Sequence, residues 1–357
     1  MKRRQLLAGA GAAWAMTASR AARAEDALAA TPVITGLEIL VAGPAGGQMD
    51  RWARACAQGL QAGFGASQPV LTRPAGGLDG VTGANRMEAL VMPDGRTASM
   101  LPGSALIAFL TGDSRVQFQV GHFVPVLAGV SSALLMVHGG LGRLQGQKAG
   151  KFGPLRIAAD SPQSPDLAAF LALERLGVPF QPVFGLRGID AKAKAFAAGE
   201  ADAVLVQGED VPADAALLSA SGGEPLVSLG MIAPDGSIMR DGLFPALPLV
   251  SELAQTWGAK PLPALLEGAF EAAAAAARLD FILVLPHLTS PSAIAQWRQA
   301  GQSAIAAPAM QSAASGSAVS LLGSLGAEAA LAPMGLPAED ILALRSWLMQ
   351  TFGWRAS

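Results

Sequence analysis

The sequence has few of the residue types on which common catalytic and metal sites depend. Its 357 residues include one cysteine, three histidines and no tyrosine. The single cysteine, Cys56, excludes an internal disulfide, and it occupies an apolar position of a predicted helix with no histidine nearby. We therefore interpret Cys56 as a small buried hydrophobic residue rather than a nucleophile. The histidines (His122, His138 and His287) lack the spacing of metal ligands, and no phenolic hydroxyl can contact a ligand.

The sequence motifs of common enzymes are also missing. It contains no Gly-x-Ser-x-Gly elbow, no P-loop and no His-Glu-x-x-His motif. His138-Gly139-Gly140 is similar to an oxyanion-hole sequence, but no serine elbow accompanies it, so we interpret it as the end of a strand. No cysteine cluster or dinucleotide fingerprint could hold a cofactor. We predict that the chain is not an enzyme and holds neither a cofactor nor a metal.

Charge is sparse, and this excludes further classes of partner. Charged residues make up 15% of the chain and the formal net charge is -2, so no basic patch favours nucleic acid or an anionic membrane. Hydrophobic residues make up 51%, which is enough for a large core. The best membrane-span candidate of the mature chain, residues 272–286, is short and interrupted by Arg278 and Asp280.

The first 24 residues have the layout of an export signal. A basic head precedes a short apolar stretch and the small-x-small sequence Ala22-Arg23-Ala24. The apolar stretch is shorter than the roughly 20 residues that span a bilayer. The pair Arg3-Arg4, followed by Gln5-Leu6-Leu7, favours the twin-arginine route for folded proteins, and an ordinary secretory signal is the alternative. We predict cleavage after Ala24 and a mature protein in the periplasm.

Apolar strands, glycine turns and helical patterns alternate through the mature chain, as in doubly wound α/β sheets. In the first helix, for example, Trp52, Cys56 and Leu60 recur at fourfold spacing. Strands are predicted at residues 37–41, 69–72, 97–101, 155–159, 180–184, 203–207, 226–232 and 281–285, and helices at 49–62, 80–90, 166–176, 190–198, 292–306 and 338–352. The alanine-rich run 272–277 receives no assignment.

The two series of strands and helices predict two α/β domains. The long extended stretch 123–137 carries the chain out of the first domain, and the strand 226–232 returns to it. We predict a bilobed periplasmic binding protein, type II-like, with two doubly wound α/β domains around a central ligand cleft. Domain 1 comprises residues 25–135 and 224–357, with a C-terminal part that can cross to domain 2, and domain 2 comprises residues 136–223. Both sheets direct the carboxyl ends of their strands, where ligands bind, towards the cleft.

Two glycine-rich turns carry the clearest binding signal. Residues 43–47 read Gly-Pro-Ala-Gly-Gly and residues 73–77 read Arg-Pro-Ala-Gly-Gly, each after a predicted strand and shortly before a helix. Glycine lets the backbone approach a ligand closely, and free N–H groups at a helix start attract anions. Two such turns on neighbouring strands predict a carboxylate-binding site that needs no arginine. The alternative is that the glycines only make tight turns.

An ordered series of short motifs runs from about residue 37 to the C-terminus. It comprises Ala45-Gly46-Gly47-Gln48-Met49-Asp50 with Ala53-Arg54, Arg73-Pro74-Ala75-Gly76-Gly77 with Gly83-Ala84, Met92-Pro93-Asp94-Gly95-Arg96-Thr97, Phe123-Val124-Pro125-Val126, Gly199-Glu200-Ala201-Asp202, and Phe244-Pro245 through Glu252-Leu253. The series resembles the tripartite tricarboxylate transporter receptors, also called Bug-type extracytoplasmic solute receptors. Each motif is weak alone, and their order makes the resemblance fairly specific.

The resemblance implies a two-lobed periplasmic receptor that closes on an organic acid and delivers it to the permease subunits of a tripartite tricarboxylate-type transporter. In the family, backbone N–H groups and ordered waters of the first two loops hold one carboxylate. Carried over, the ligand-binding residues are Pro44, Ala45, Gly46 and Gly47 in the first loop and Pro74, Ala75, Gly76 and Gly77 in the second. Asp50 would fix the first loop or accept backbone N–H bonds, and helix capping alone is the alternative. We expect the protein to be a monomer and to have no nucleic-acid partner.

The chain departs from the family pattern around the far end of the ligand. Gly43 replaces an aromatic residue that walls the family's pocket, and Ser104 stands near the place of a serine or threonine after the third strand. In the second domain the family's serine-rich loop becomes residues 160–166, where Ser161, Gln163 and Ser164 could bind a ligand. Asp160 and Asp166 would repel a second carboxylate, unless Asp166 caps its own helix. Arg187 is a further candidate, with a solvated arginine as the alternative.

These departures favour a ligand with one carboxylate and a neutral or cationic far end over a tricarboxylate. A ligand sensor that presents its closed form to a membrane signalling partner is an alternative function with the same fold. A secreted enzyme is a weaker alternative, because it needs clustered titratable residues that the sequence does not show.

Overall fold

The structure of this chain is a computed structural model that describes residues 36–65, 68–233 and 236–355. The predicted export signal, residues 1–24, lies outside the described residues. Thirteen strands in this part of the chain form two mixed sheets and one small hairpin. No helix within the described residues is long and apolar enough to cross a membrane.

The first sheet has six strands in the order β13-β4-β12-β3-β1-β2. The strands β1, β2 and β3 are parallel, whereas β12 runs antiparallel to both β3 and β4 and β13 runs antiparallel to β4. Their bounds are β1 Leu37–Val41, β2 Val70–Pro74, β3 Thr97–Leu101, β4 Phe123–Ser131, β12 Leu279–Pro286 and β13 Val319–Leu322. We call this sheet and its helices the first lobe.

The second sheet has five strands in the order β7-β6-β8-β5-β9. The strands β6, β7 and β8 are parallel, and β5 runs antiparallel to its neighbours β8 and β9. The bounds are β5 Ala133–His138, β6 Leu155–Ala158, β7 Phe180–Val183, β8 Ala203–Gln207 and β9 Gly223–Ser228. This sheet and its helices form the second lobe. The hairpin pairs β10 Met231–Ile232 with β11 Ile238–Met239.

Thirteen α-helices of the described residues follow the strands or pack on the sheets. They are α1 Gln48–Phe64, α2 Val81–Leu90, α3 Gly103–Thr111, α4 Gly140–Lys148, α5 Leu167–Arg175, α6 Gly188–Ala197, α7 Val211–Ser219, α8 Val250–Trp257, α9 Ala264–Arg278, α10 Pro291–Ala306, α11 Pro308–Ser315, α12 Ser324–Leu331 and α13 Ala338–Phe352. Short 3-10 turns occupy Val120–His122 and Ala332–Met334.

Most predicted elements are confirmed within one or two residues. The predicted strands 37–41, 97–101 and 203–207 have the bounds of β1, β3 and β8, and the predicted helix 338–352 has those of α13. The predicted strand 226–232 is wrong as a return to the first sheet. Its first part belongs to β9, which pairs with β5 in the second sheet, and a break at Leu229-Gly230 separates it from β10. Local sequence predicts an extended segment but not its pairing partner.

The unassigned alanine run lies at the end of α9, a helix that contacts both lobes. Alanine has the highest helix propensity, and all six alanines 272–277 are buried. Their small side chains let other backbone approach closely: a Cβ added to Gly103 would lie 2.0 Å from the Ala276 carbonyl oxygen. The helix packs against α3 and α13 and also against α5 in the second lobe. The two lobes therefore share one buried helix.

The chain crosses between the lobes at two adjacent strand connections. Ser132 joins β4 to β5, and Leu229 follows β9 and donates its N–H to the Ala133 carbonyl at 2.9 Å. The C-terminal helix also joins the two lobes, by a packing contact rather than by a chain crossing. Phe352, at the end of α13, packs on Phe170 of the second lobe with ring centroids 5.1 Å apart. This contact agrees with the expectation that the C-terminal part crosses to the second domain. The domain bounds 25–135, 224–357 and 136–223 themselves stay a prediction.

Candidate functional site

The two predicted glycine loops lie side by side at the carboxyl ends of β1 and β2. The first loop (residues 44–47) and the second loop (residues 74–77) are tied by backbone bonds: Ala75 N–H donates to the Val41 carbonyl at 2.7 Å, and Gly76 N–H donates to the Gly43 carbonyl at 3.1 Å. Pro44, Ala45, Gly46 and Gly77 are exposed. The prediction that both loops form one surface at this sheet edge therefore agrees with the structure.

The first loop needs glycine at one position for its conformation. Gly46 has a φ of +75°, in the left-handed region, and a Cβ added there would meet no atom within 4 Å. Gly76 has the same character, with a φ of +77° and open space. Both positions therefore face solvent, and it is backbone strain rather than crowding that selects glycine there. The N–H groups of Gly46, Gly47, Ala75 and Gly76 are bonded within the protein, whereas no hydrogen bond of the described residues uses the N–H of Ala45 or Gly77, so these two groups suit an anion.

Asp50 holds the first loop in place. Its buried carboxylate accepts the Gly46 N–H at 2.7 Å and the Arg54 guanidinium at 3.0 Å. Burial raises the pKa of Asp50, but the Gly46 and Arg54 hydrogen bonds outweigh it and hold the pKa below its ordinary value. The N-cap residue of α1 is Gly47 rather than Asp50, and no side-chain hydrogen bond caps this helix. The structure thus favours the loop-fixing role over helix capping alone.

Ser104 lies in the first turn of α3, after the third strand. Its hydroxyl donates to the backbone carbonyl of Asp79 at 3.0 Å. Asp79 follows the second loop and pairs with Arg115 at 2.7 Å. Ser104 therefore supports the segment that follows the second loop, and a ligand contact by its hydroxyl stays a prediction.

The polar loop of the second lobe is bonded mainly to itself. The Ser164 hydroxyl donates to the Ser161 carbonyl at 2.7 Å and lies 2.8 Å from the Asp166 carboxylate. The Ser161 hydroxyl accepts the backbone N–H of Gln163 at 3.3 Å. Asp166 is buried and also binds Lys192 at 2.5 Å, so its charge is compensated. Asp166 occupies the cap position of α5 but makes no capping bond there.

Arg187 is exposed and pairs with Asp160 at 3.2 Å. The pair joins the loop after β7 to the loop after β6. Because Arg187 and Lys192 each neutralise one aspartate, the repulsion expected from Asp160 and Asp166 towards a second carboxylate is reduced.

The carboxyl edges of the two sheets meet at one junction between the lobes, which we call the cleft. Glu209, just beyond β8, accepts a hydrogen bond from the Trp52 indole at 3.1 Å and pairs with Arg51 at 2.6 Å, both on α1 of the first lobe. Gly208 N–H donates to the Ser131 hydroxyl at 3.2 Å. These contacts place the end of β8 against the first turns of the helix that follows the first loop.

Asp280 also lies at this junction, near residues of both lobes. It is the second residue of β12, beside Gln48, whose amide donates to the carboxyl Oδ1 at 3.3 Å. A Cβ added to Gly208 of the second lobe would lie 3.7 Å from the same oxygen. The carboxyl is 8% exposed. Burial raises the pKa of Asp280 to about 7, with Glu209 and Asp210 adding to the rise and Ser131 and Gln48 opposing it.

No protein-family model and no curated sequence matches the chain. Solved structures do match. A TctC solute-binding protein from Polaromonas superposes with a TM-score of 0.65 at 17% identity, over 88% of this chain and 98% of that chain. MatC from Rhodopseudomonas palustris with bound malate gives 0.54 at 18% identity, over 88% and 99%. An adipate-bound protein from R. palustris gives 0.56 at 16% identity, over 87% and 97%.

The chain has the fold of a TctC-type solute-binding protein. The predicted fold class, with two α/β sheets facing one cleft, is confirmed by this match. The sheets are mixed rather than purely parallel, because β12, β13 and β5 run against their neighbours.

Within this TctC-type fold the predicted site residues form two separate groups. The first group is the two loops with Asp50 and, behind them, Ser104. The second comprises Ser161, Gln163 and Ser164, with Arg187 beside it. Among the described residues no hydrogen bond or ion pair joins the groups directly; Glu209 and Gly208 make the contacts across the cleft. No group of three or more metal-ligating side chains occurs in the part of the chain that the structure describes.

Sequence reasoning missed three cleft residues. Glu209 and Asp280 were not predicted as site residues, and Gln48 was noted only as part of a motif. Asp280 carried a usable signal, because a charged residue inside an otherwise apolar strand needs a partner or a function. Nothing local marked Glu209, whose partners lie 157 and 158 residues away in the sequence.

Proposed function

We propose that the chain is an extracytoplasmic receptor that captures a small organic acid in the cleft and delivers it to the permease subunits of a tripartite tricarboxylate-type transporter. The single observation that carries the proposal is the pair of joined glycine loops at one sheet edge, opposite the carboxyl edge of a second sheet. In this proposal the Ala45 and Gly77 N–H groups, which make no bond within the described residues, bind the carboxylate without a counter-charged side chain.

Three further observations support a receptor rather than an enzyme. The fold is shared with proteins described with bound malate and bound adipate. Two of the matched structures are described as a solute-binding protein and a periplasmic binding protein, and the sequence lacks common catalytic motifs. The N-terminal sequence has the layout of an export signal, which supports the proposal of a mature chain, from Glu25 onward, in the periplasm. We further propose a monomer with two domains near the predicted bounds, in which β5 and β9 belong to the second domain.

The charges of the cleft favour a ligand with one carboxylate and a neutral or cationic far end. Beyond the glycine loops the ligand would meet Asp280, Glu209 and Asp210. Glu209 is paired with Arg51, whereas the Asp280 carboxyl is bound only by neutral groups. A second carboxylate at this depth would face the acidic Asp280 without a free cation, which costs binding energy. The paired Asp160 and Asp166 contribute less to this selectivity.

The proposal is tested by thermal unfolding of residues 25–357 with a panel of mono-, di- and tricarboxylates, aromatic acids and amino acids. A ligand present at 100 times its dissociation constant stabilises by about 2.7 kcal/mol, which is visible as a rise in Tm. We expect a rise with one class of carboxylate and the largest rise with a monocarboxylate that carries a neutral or cationic group. No rise with any acid would contradict the receptor function.

The site is located with two matched variants. Gly46→Val places a β-branched residue at a φ of +75° in the first loop, and Gly150→Val does so at +73° in a turn after α4, also in open space. We expect Gly46→Val alone to abolish the ligand-induced rise in Tm. Equal responses in both variants would place the ligand elsewhere.

A further inference from the structure

A second cavity lies beside the strand connections, outside the cleft described above. Its volume is about 310 Å³, at the lower end of the range for small-molecule sites. It is lined by residues of α5, α8 and α9 and by Leu229, the residue that follows β9 at a crossing between the lobes. The lining therefore comes from both lobes and from the connection between them.

The buried end of this cavity contains a cation without an anionic partner. Arg278, the last residue of α9, is 2% exposed. Its Nη1 donates to the Leu229 carbonyl at 2.6 Å, while its Nε has no hydrogen-bond partner among the described residues. No ion pair of the described residues includes Arg278. Burial lowers the pKa of Arg278 to about 10, so the guanidinium stays charged at neutral pH.

The other charges of the cavity are balanced at a distance from Arg278. Arg175 forms an ion pair with Glu267, and the negative charge of Glu271 also favours the charged form of Arg175. Glu271 precedes Arg278 by seven residues, about 10 Å along a helix. The lining holds two arginines and two glutamates, so its formal charge is zero, and the positive charge without a nearby carboxylate lies at the Arg278 end. Buried charges are normally paired, so this end of the cavity favours an anion.

The walls between the two ends are mainly apolar. Leu249, Val250, Phe270 and Ala274 line the cavity, and the exposed Ser251 lies at its solvent side. Apolar walls with one charged group at the buried end match an amphipathic molecule that has a single anionic group at one end of a short apolar body.

We propose that this cavity is a second ligand site, which takes a small monocarboxylate with a short apolar body. The carboxylate binds the Arg278 guanidinium by charge-assisted hydrogen bonds, and the apolar body packs along Leu249, Phe270 and Ala274. The proposal stands on Arg278 and the cavity, and it does not depend on the function proposed for the cleft.

The test is calorimetric titration of the mature chain, residues 25–357, with sodium hexanoate as the probe. We expect saturable millimolar or tighter binding that the cleft variant Gly46→Val retains. Arg278→Met, which removes the charge, and Ser251→Trp, which blocks the solvent side, should each weaken hexanoate binding at least tenfold. Arg345→Met is the control, because Arg345, although less buried than Arg278, is also an arginine that donates to backbone carbonyls, those of Phe109 and Leu110.

Each other outcome overturns the proposal. No hexanoate binding by the unmodified chain shows that the cavity takes no such acid. Binding that Gly46→Val abolishes, but Ser251→Trp does not, places hexanoate in the cleft. Should Arg278→Met fail to fold, Ser251→Trp decides alone, because Ser251 is exposed and leaves Arg278 unchanged.

Discussion

The two sides of the cleft are built from different chemistry. On the first lobe the exposed groups are backbone N–H groups of glycine loops, and the side chain that supports them, Asp50, is turned inward. On the second lobe the polar groups are side chains, and Ser164, Asp166 and Lys192 are already bonded to one another. A ligand can bind the Ala45 and Gly77 N–H groups without displacing the bonds that hold the two loops, whereas on the second side it must compete with an existing network.

This difference separates general affinity from selectivity. Backbone donors recognise any carboxylate, since they carry no side chain that could discriminate among ligands. Discrimination must come from side chains, and the one with no compensating charge is Asp280, which belongs to β12 of the first sheet and lies at the junction of the lobes. The comparison predicts that changes on the second side affect mainly stability, and that changes on the first side affect mainly affinity.

The largest effect is expected where the second-lobe network loses its cation. Lys192→Met leaves the buried Asp166 carboxylate unpaired and should lower the free energy of unfolding by about 3–5 kcal/mol, measured by urea denaturation. The exposed Lys194 lies on the same helix, and Lys194→Met should change stability little. Equal losses in both variants would mean that the Asp166–Lys192 pair has no special role.

The second effect is a pH dependence caused by Asp280. Its pKa is raised to about 7 in the folded chain, so between pH 5 and 7 the folded state keeps a proton that the unfolded state has lost. Stability from this group is therefore highest at low pH and falls by about 2 kcal/mol as pH rises from 5 to 7. In Asp280→Asn this fall should disappear, so the variant gains stability relative to the unmodified chain as pH rises.

Urea denaturation of the unmodified chain and of Asp280→Asn at several pH values measures the difference in their free energies of unfolding. A stability difference between the two chains that does not change with pH would mean that the Asp280 carboxyl is ionised throughout. The same variant also tests selectivity, because removal of the acid should improve binding of dicarboxylates relative to monocarboxylates.

The third effect concerns affinity on the first side. Gly46→Val strains the first loop and displaces its N–H groups, and the dissociation constant for the carboxylate identified by the panel should rise at least tenfold, about 1.4 kcal/mol. Gly150→Val should lose similar stability but keep its affinity. Isothermal titration of both variants checks this. If Lys192→Met weakened binding more than Gly46→Val, the division of roles between the two sides would be wrong.

The smallest effect is expected at the contact between the sides. Glu209→Ala removes the bonds to Arg51 and Trp52, a partly exposed contact worth about 0.2–1 kcal/mol. We expect the ligand-free chain to shift towards a more open form, seen as a larger radius of gyration in small-angle scattering. Asp210→Ala, at the exposed neighbouring position, is the control. An unchanged radius in Glu209→Ala would show that this contact does not hold the lobes together.

The sequence predicted those features that depend on neighbouring residues. The glycines of residues 43–47 are enough to predict a turn there. The strand before this turn and the helix after it are predicted from local periodicity. The buried state of Cys56 was predicted in the same way and is confirmed, and burial raises the pKa of its thiol to about 12.

Features that join distant segments could not be predicted. Gln48 and Asp280 are 232 positions apart, and their contact exists only because β12 lies between β3 and β4. The second-lobe loop was predicted to offer Ser161, Gln163 and Ser164, but their engagement with Asp166 depends on Lys192, which another helix brings to the loop. The placement of β9 in the second sheet has the same cause, since strand pairing is decided by tertiary packing.

The contact of Phe352 with the second lobe bears on how quickly a ligand leaves. The ring touches Phe170, Phe180 and Phe184, with centroids 5.1 to 6.1 Å apart. Separation of the lobes must pull this ring from its three partners or bend the end of α13. Either event adds to the barrier for release more than to the barrier for capture, since capture begins from lobes already apart. We therefore expect the C-terminal helix to lengthen the residence time of the ligand, with its last turn setting the rate of release.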